Sequence, residues 1–236
     1  MGPIDEPRRV YRRVHWGRHA ELFILDCRSY RSVHKPTAAA AADGGGGSGT
    51  PQLSHMLGDA QLAWLKAGLV ESTATWKFIC TSVPLSYPTG WPRPQETGYD
   101  GWADGSSSSE SVGPEAELLS ILQHIRDSSV ANVCFISGDV HFPFCISYDP
   151  FDDDRPLVHE IGATPLHALC LPRPPSGLGD TSLKPTVLYA GDVPFGGQLN
   201  NFGACTLDEL GNATFALHEA ATGRVLYELP LTPIRP

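Results

Sequence analysis

No stretch of this chain stays apolar for long. The longest uninterrupted runs, such as Leu22–Leu25, are a few residues, far short of the ~20 that a helix needs to cross a bilayer. Basic residues are scarce too: 17 Lys and Arg stand against 26 Asp and Glu, a formal net charge of −9, and no basic stripe runs along the sequence. That balance excludes a general nucleic-acid-binding surface, which needs clustered cations. The six cysteines, at 27, 80, 134, 145, 170 and 205, form no C-x-x-C pair, so neither a zinc ribbon nor a dithiol redox motif is present. Cys27, Cys80 and Cys134 lie in apolar, strand-like stretches and read as buried free thiols. There is no G-x-S-x-G elbow, and the glycine run 44–47 has no Gly-Lys-Ser/Thr ending. Both a serine hydrolase and a phosphate loop are thereby disfavoured. The opening MGPIDEPRRVYRRV has no apolar core segment, so no secretory signal is visible and the location stays open.

What the chain has in quantity is turn formers. With 24 Gly and 21 Pro in 236 residues, it is no coiled coil or helical bundle, and its length suits a single domain. ELFILD, 21–26, is the first strand signal. The low-complexity stretch 37–50 reads as a surface loop. Asp59 then reads as the N-cap of a helix over 60–70, with Leu62, Leu65 and Leu69 at helical spacing. WKFICTSV, 76–83, is a second buried strand. Residues 84–113, with prolines at 84, 88, 92 and 94, form a loop of a length that is usually functional or disordered. Pro114 opens a second helix, with Glu115 and Glu117 in its first turn and Leu118, Leu122 and Ile125 on one face. NVCFIS, 132–137, is the third buried strand. Short strands follow at 157–163, 202–208, 213–218 and 224–229, and 172–197 reads as loop. This order predicts a layered α/β domain with a β-rich C-terminal part.

Gly138-Asp139-Val140-His141 directly follows the third strand. On an extended backbone, side chains at i and i+2 point the same way, so Asp139 and His141 project together. They would do so beyond the carboxyl end of a strand, where α/β sheets bind their ligands. A carboxylate and an imidazole on one face make half of a metal shell. The same pair also reads as a turn-capping aspartate and a hydrogen-bonded, half-buried histidine, and the residues alone leave both readings open. Gly138 permits a close backbone approach or an unusual turn. The other histidines show no H-x-x-x-H or H-E-x-x-H spacing. His159-Glu160 lies on a strand that could approach a site, although period-2 packing explains it equally well. Asp152–Asp154 lacks the Gly and terminal Glu of a calcium loop and reads as a solvated turn.

Several blocks, in order, resemble the metallophosphoesterases of the alkaline phosphatase D (PhoD-like) family. They are WGRHAELFILDCRSYR (16–31), MLGDAQLAWLKAGLVESTATWKFICTSVPLS (56–86), DGWADG (100–105) and NVCFISGDVHF (132–142). VHEIGATPLHA (158–168) and NNFGACTLDELGNATFALHEAATGRVLYELPL (200–231) look similar to the family's C-terminal strands. The resemblance implies a layered αββα metallophosphoesterase sandwich, here partial, that hydrolyses phosphomonoesters or phosphodiesters with an iron and calcium centre. It carries the metal-ligand roles onto Asp139 and His141, with His141 also acting in catalysis by positioning the centre. The matching Asp26, Arg28 and Tyr30 read as structural, Arg28 pairing with an acidic neighbour to hold the loop after the first strand. Asp100 and Trp102 sit in a loop that could edge the substrate cleft, and Glu160 is a further cleft candidate.

The family's other ligand motifs, an Asp-x-x-Tyr among them, precede the WGR–ELF–LD block, which begins here at residue 16 with no such element upstream. The expectation is one domain over 1–236 that resembles the C-terminal half of such an enzyme. Two functions are carried forward. One is a metal-dependent phosphoric ester hydrolase. The other is a catalytically silent fragment or interaction module that self-associates or pairs with a separate N-terminal half.

Overall fold

The computed structural model describes residues 9–32, 55–87, 101–103, 114–153, 155–174, 178 and 181–235. In chain order the elements are β1 (Arg12–Trp16), β2 (Ala20–Ile24), α1 (Gly58–Glu71), β3 (Trp76–Cys80), α2 (Pro114–Asp127), β4 (Val133–Ser137) and β5 (Phe144–Tyr148). They continue with β6 (Val158–Gly162), β7 (Pro185–Ala190), β8 (Asn201–Leu207), β9 (Ala213–Glu219) and β10 (Val225–Leu231). Seven strands form a mixed sheet ordered β1-β2-β3-β4-β6-β5-β7, and the last three form a second sheet ordered β10-β9-β8. Strands β2, β3, β4 and β6 run parallel to one another, and β1, β5 and β7 are antiparallel to their neighbours.

Side-chain alternation along the strands divides the core in two. Phe23, Ile79, Phe135 and Ile146 turn to one face, where they meet Leu65 and Leu69 of α1 and Leu118 and Leu122 of α2. Trp76, Phe78, Cys134, Cys145 and Ile161 turn to the other, against Phe215 and Leu217 of β9. Complete burial of one such side chain is worth ~1.5–3 kcal/mol. The middle strands are apolar almost without a break because both their faces are covered. The layers are therefore helix, large sheet, small sheet, as the predicted α/β domain with a β-rich C-terminal part requires.

Several local expectations change. The first helix begins at Gly58 with Leu57 at its N-cap, and Asp59 lies inside the first turn without a capping role. The entry to α1 is held instead by a tertiary contact: Glu117 Oε2 of α2 accepts the Met56 and Leu57 N–H groups at 2.7 and 3.0 Å. Glu115 fastens the other end of its helix turn, accepting the Thr181 and Ser182 hydroxyls, both at 2.7 Å, and the Ser182 N–H at 2.9 Å. Strand β7 lies within 172–197, which the Gly and Pro content marks as loop, and β1 and β5 carry no strong local strand signal. Residues 37–50 lie outside the described residues, as does most of 84–113. The parts of that loop that are described close on each other, the Trp102 and Ala103 N–H groups donating to the Pro84 and Leu85 carbonyls at 3.2 and 2.9 Å. All six cysteines are free thiols, with Cys27, Cys134, Cys145 and Cys170 buried.

Candidate functional site

Four parallel strands present their carboxyl ends along one edge of the large sheet. The segments that leave them begin at Leu25 after β2, Thr81 after β3, Gly138 after β4 and Ala163 after β6. After β2 the chain turns at Asp26. Its Oδ1 accepts the Arg28 and Ser29 N–H groups at 3.0 and 2.9 Å. Gln61, buried on α1, clamps the same residue by accepting its N–H at 2.8 Å and donating to its carbonyl at 3.0 Å. Burial pushes the Asp26 carboxyl up, but hydrogen bonds from Ser29 and Arg28 outweigh it and hold it below the ordinary carboxylate range. The loop is thus held in part through the Arg28 and Ser29 main chain.

After β4 the backbone is not extended. Asp139 and His141 have φ of 76° and 62°, both in the left-handed region. The Val140 N–H donates to the Gly138 carbonyl at 3.0 Å, which closes a γ-turn centred on Asp139. Such a conformation costs on the order of 1–3 kcal/mol per non-glycine residue and persists only where the surroundings impose it. They do so here. A Cβ on Gly138 would lie 2.9 Å from Thr164 Cγ2, so a side chain there would have to displace Thr164 on the segment after β6. His141 is gripped from the other side: its carbonyl accepts the Leu171 N–H at 3.1 Å, and its Nδ1 lies 2.6 Å from the Leu169 carbonyl. A carbonyl has no proton to give, so Nδ1 is the donor and neutral His141 keeps its lone pair on Nε2. That is the arrangement in which histidine ligates metals, with the second nitrogen oriented by a carbonyl. Asp139, two residues earlier on the same turn, is exposed.

Glu160 is not at a cleft edge. It is fully buried on β6 and joins three elements. Oε1 accepts the Leu85 N–H at 2.9 Å and the Ser137 hydroxyl at 2.6 Å, while Oε2 accepts the Tyr148 hydroxyl at 2.5 Å. Ser86 and Tyr148 hydroxyls are 2.7 Å apart, which extends the chain. Burial pushes the Glu160 carboxyl up to about 7, against these hydrogen bonds, which favour the ionised form. Ser137 immediately precedes the Gly138 turn, so this network fixes the floor from which Asp139 and His141 rise. Trp102 also departs from expectation. It is fully buried and donates its Nε1–H to Thr81 Oγ1 at 3.0 Å, so it props the end of β3 and does not edge a cleft. Asp100 lies outside the described residues.

Of the residues singled out by sequence, Asp139 and His141 share one turn, and Asp26 and Glu160 serve the same edge from within the protein. Ser137 and Tyr148 were missed. Tyr148 reaches Glu160 only through the antiparallel pairing of β5 with β6, which has no local signature. Among the described residues, no group of three or more His, Cys, Asp and Glu is arranged to hold a metal ion. A cleft of about 1480 Å³ opens at the opposite, amino ends of β3, β4 and β6. The ligand-type side chains are at the other edge, so chemistry and volume point to different ends of the sheet.

A family model described as PhoD-like phosphatase matches residues 2–208. The solved structure of PhoD superposes with a TM-score of 0.53 at 16% identity, covering 96% of this chain and 44% of that one. This chain therefore spans less than half the length of the PhoD structure that it matches. GAP50, the anchor in the inner membrane complex of Plasmodium, gives a TM-score of 0.49 at 13% identity, covering 95% of this chain and 54% of that one. Purple acid phosphatase PPD1 from yellow lupin (Lupinus luteus) seeds gives 0.49 at 10% identity, covering 98% and 34%. A search of curated protein sequences returns no match.

Proposed function

The chain belongs to the PhoD-like phosphatase family, and from that premise we propose that it acts as a metal-dependent phosphoric ester hydrolase whose site lies on the turn Gly138–His141. The observation that carries the reading is the His141 imidazole, oriented by the Leu169 carbonyl with Nε2 left as the ligating atom. Asp139, on the same turn, would supply a hard oxygen donor, and these two side chains would hold the cation, iron and calcium being the metals the family resemblance implies. A cation bound there supplies Lewis-acid polarisation of a phosphoryl oxygen. The chain's own part is positional. The Glu160 network holds the end of β4, the Thr164 contact holds Gly138, and the Leu169–Leu171 segment holds the imidazole ring.

Phosphate monoesters and diesters both fit this reading. Turnover of p-nitrophenyl phosphate and bis-(p-nitrophenyl) phosphate by the metal-loaded chain separates them. His141→Ala is expected to abolish metal-dependent cleavage of whichever is the substrate. Unchanged cleavage in His141→Ala overturns the assignment, and a wild-type chain that binds metal without turnover supports the catalytically silent alternative.

A further inference from the structure

Among the described residues, five of the chain's 17 Lys and Arg, Arg18, Lys77, Arg126, Arg155 and Arg235, line the cleft at the amino ends of the parallel strands, beside two acids, Asp153 and Glu209. Arg126 is neutralised by Asp153 at 3.1 Å. The others face no such acid within the cleft. The Arg18 and Arg235 guanidinium groups donate to the Glu209 and Leu210 carbonyls at 2.9 and 3.1 Å. The Lys77 ammonium reaches the Ala131 carbonyl at 3.4 Å and is also balanced by the buried Glu21, its register partner on β2. Among the described residues Arg155 is exposed and has no hydrogen-bond or ion-pair partner. A carbonyl satisfies a donor but leaves its charge uncompensated, as at Arg18 and Arg235. Among the described residues the lining is thus net positive in a chain whose net charge is −9.

Cations commonly gather near helix C-termini to offset the helix dipole. That accounts for Arg126, in the last turn of α2. It does not account for Arg18, Arg155 and Arg235, which lie on loops and the C-terminal tail. The cleft also exposes aliphatic surface: Leu210 is 65% exposed, Val70 54% and Ile234 42%. Among the described residues no Phe, Tyr or Trp lines it, and these residues offer none of the stacking platforms that single-stranded nucleic acids use. Its volume far exceeds that of a single small anion.

We propose that this cleft is a docking site for an acidic peptide segment of a partner protein, one that carries aliphatic side chains between its carboxylates. The carboxylates pair with Arg155, Arg235 and Arg18, and the aliphatic groups cover Val70, Leu210 and Ile234. The site is at the opposite end of the sheet from Asp139 and His141 and does not depend on the phosphatase reading.

Fluorescence anisotropy of the full chain with a short labelled peptide of glutamates and leucines tests this. Saturable binding that weakens with added salt is expected. Joint replacement Arg155→Glu and Arg235→Glu is expected to weaken it by about tenfold or more, with thermal unfolding and circular dichroism unchanged. Arg155→Glu alone, at a side chain with no partner to lose, gives a smaller shift in the same direction and covers the case in which the double variant unfolds. The proposal is overturned if the peptide does not bind, if a peptide with Lys in place of Glu binds equally well, if neither variant changes the affinity, or if a single-stranded oligonucleotide binds more tightly than the peptide.

Discussion

The two ends of one parallel sheet are built on opposite terms. At the carboxyl end the chain is tightly determined. A γ-turn is held against Thr164, a buried glutamate is met by three donors, and acids predominate in Asp26, Asp139 and Glu160. At the amino end a wide cleft is walled by loops and cations, of which Arg18 and Arg235 rest on neutral carbonyls. The difference teaches that volume and chemistry are separate signals. An open cleft tolerates change in its walls, whereas a strained turn is preserved only by the packing around it.

That contrast can be broken most forcefully at Gly162. A Cβ there would lie 2.1–2.6 Å from the ring of Phe144, which is itself fully buried. Gly162→Ala is expected to destabilise the fold by roughly 1–3 kcal/mol through overpacking at the carboxyl end, read as a fall in the thermal midpoint. An unchanged midpoint would mean that this end is not close-packed.

Glu160→Gln comes next, with an expected loss of about 1–2 kcal/mol in denaturant unfolding, since one carboxylate oxygen becomes a donor facing Tyr148. It also has a pH signature. Burial raises the Glu160 carboxyl to about 7 from an ordinary value of 4.5. The folded state therefore holds the proton more tightly. The stabilisation from this group is complete below about pH 4.5 and is lost as pH rises through about 7. Glu160→Gln is expected to flatten the decline in stability across that window, and an identical slope in the two proteins would contradict the buried-carboxyl account.

Gly17 provides the counterpart to Gly162 at the cleft end. Its φ is 63°, and a Cβ would meet nothing within 4 Å. Gly17→Ala is expected to cost only the left-handed backbone preference, about 1 kcal/mol or less. The smallest effect is expected for Arg155→Glu, within about 0.5 kcal/mol of wild type in the same unfolding experiment, because the side chain is exposed and unpartnered.

How much of this was legible in the sequence follows from how local each cause is. The central strands β2, β3 and β4 and both helices announce themselves through apolar runs and helical spacing, since each buries its own side chains. Strand β1 does not. RRVHW has no apolar run, and it is a strand because it pairs with β2 while Arg13 and His15 lie 3.6 and 3.4 Å from the buried Glu21. The start of α1 lacks a local signature for the same reason, since Glu117 from another helix accepts the Met56 and Leu57 N–H groups that lead into it. At the site, the residues Asp139 and His141 are visible in the sequence, but the left-handed turn that carries them is not. Extended geometry was the wrong premise, and the left-handed turn depends on Thr164 and Leu169, which are distant in sequence. The basic cleft was invisible because its cations, from residue 18 to residue 235, are neighbours only after folding.

The central claim is the proposed metal site on the turn Gly138–His141, whose ligands would serve phosphate ester hydrolysis. The most direct test is metal analysis of the purified chain beside its turnover of bis-(p-nitrophenyl) phosphate, for wild type and His141→Ala prepared alike. The account predicts bound iron or calcium and turnover in the wild type, with both lost in His141→Ala while the circular dichroism spectrum is retained. Equal metal content and equal turnover in the two proteins would contradict it.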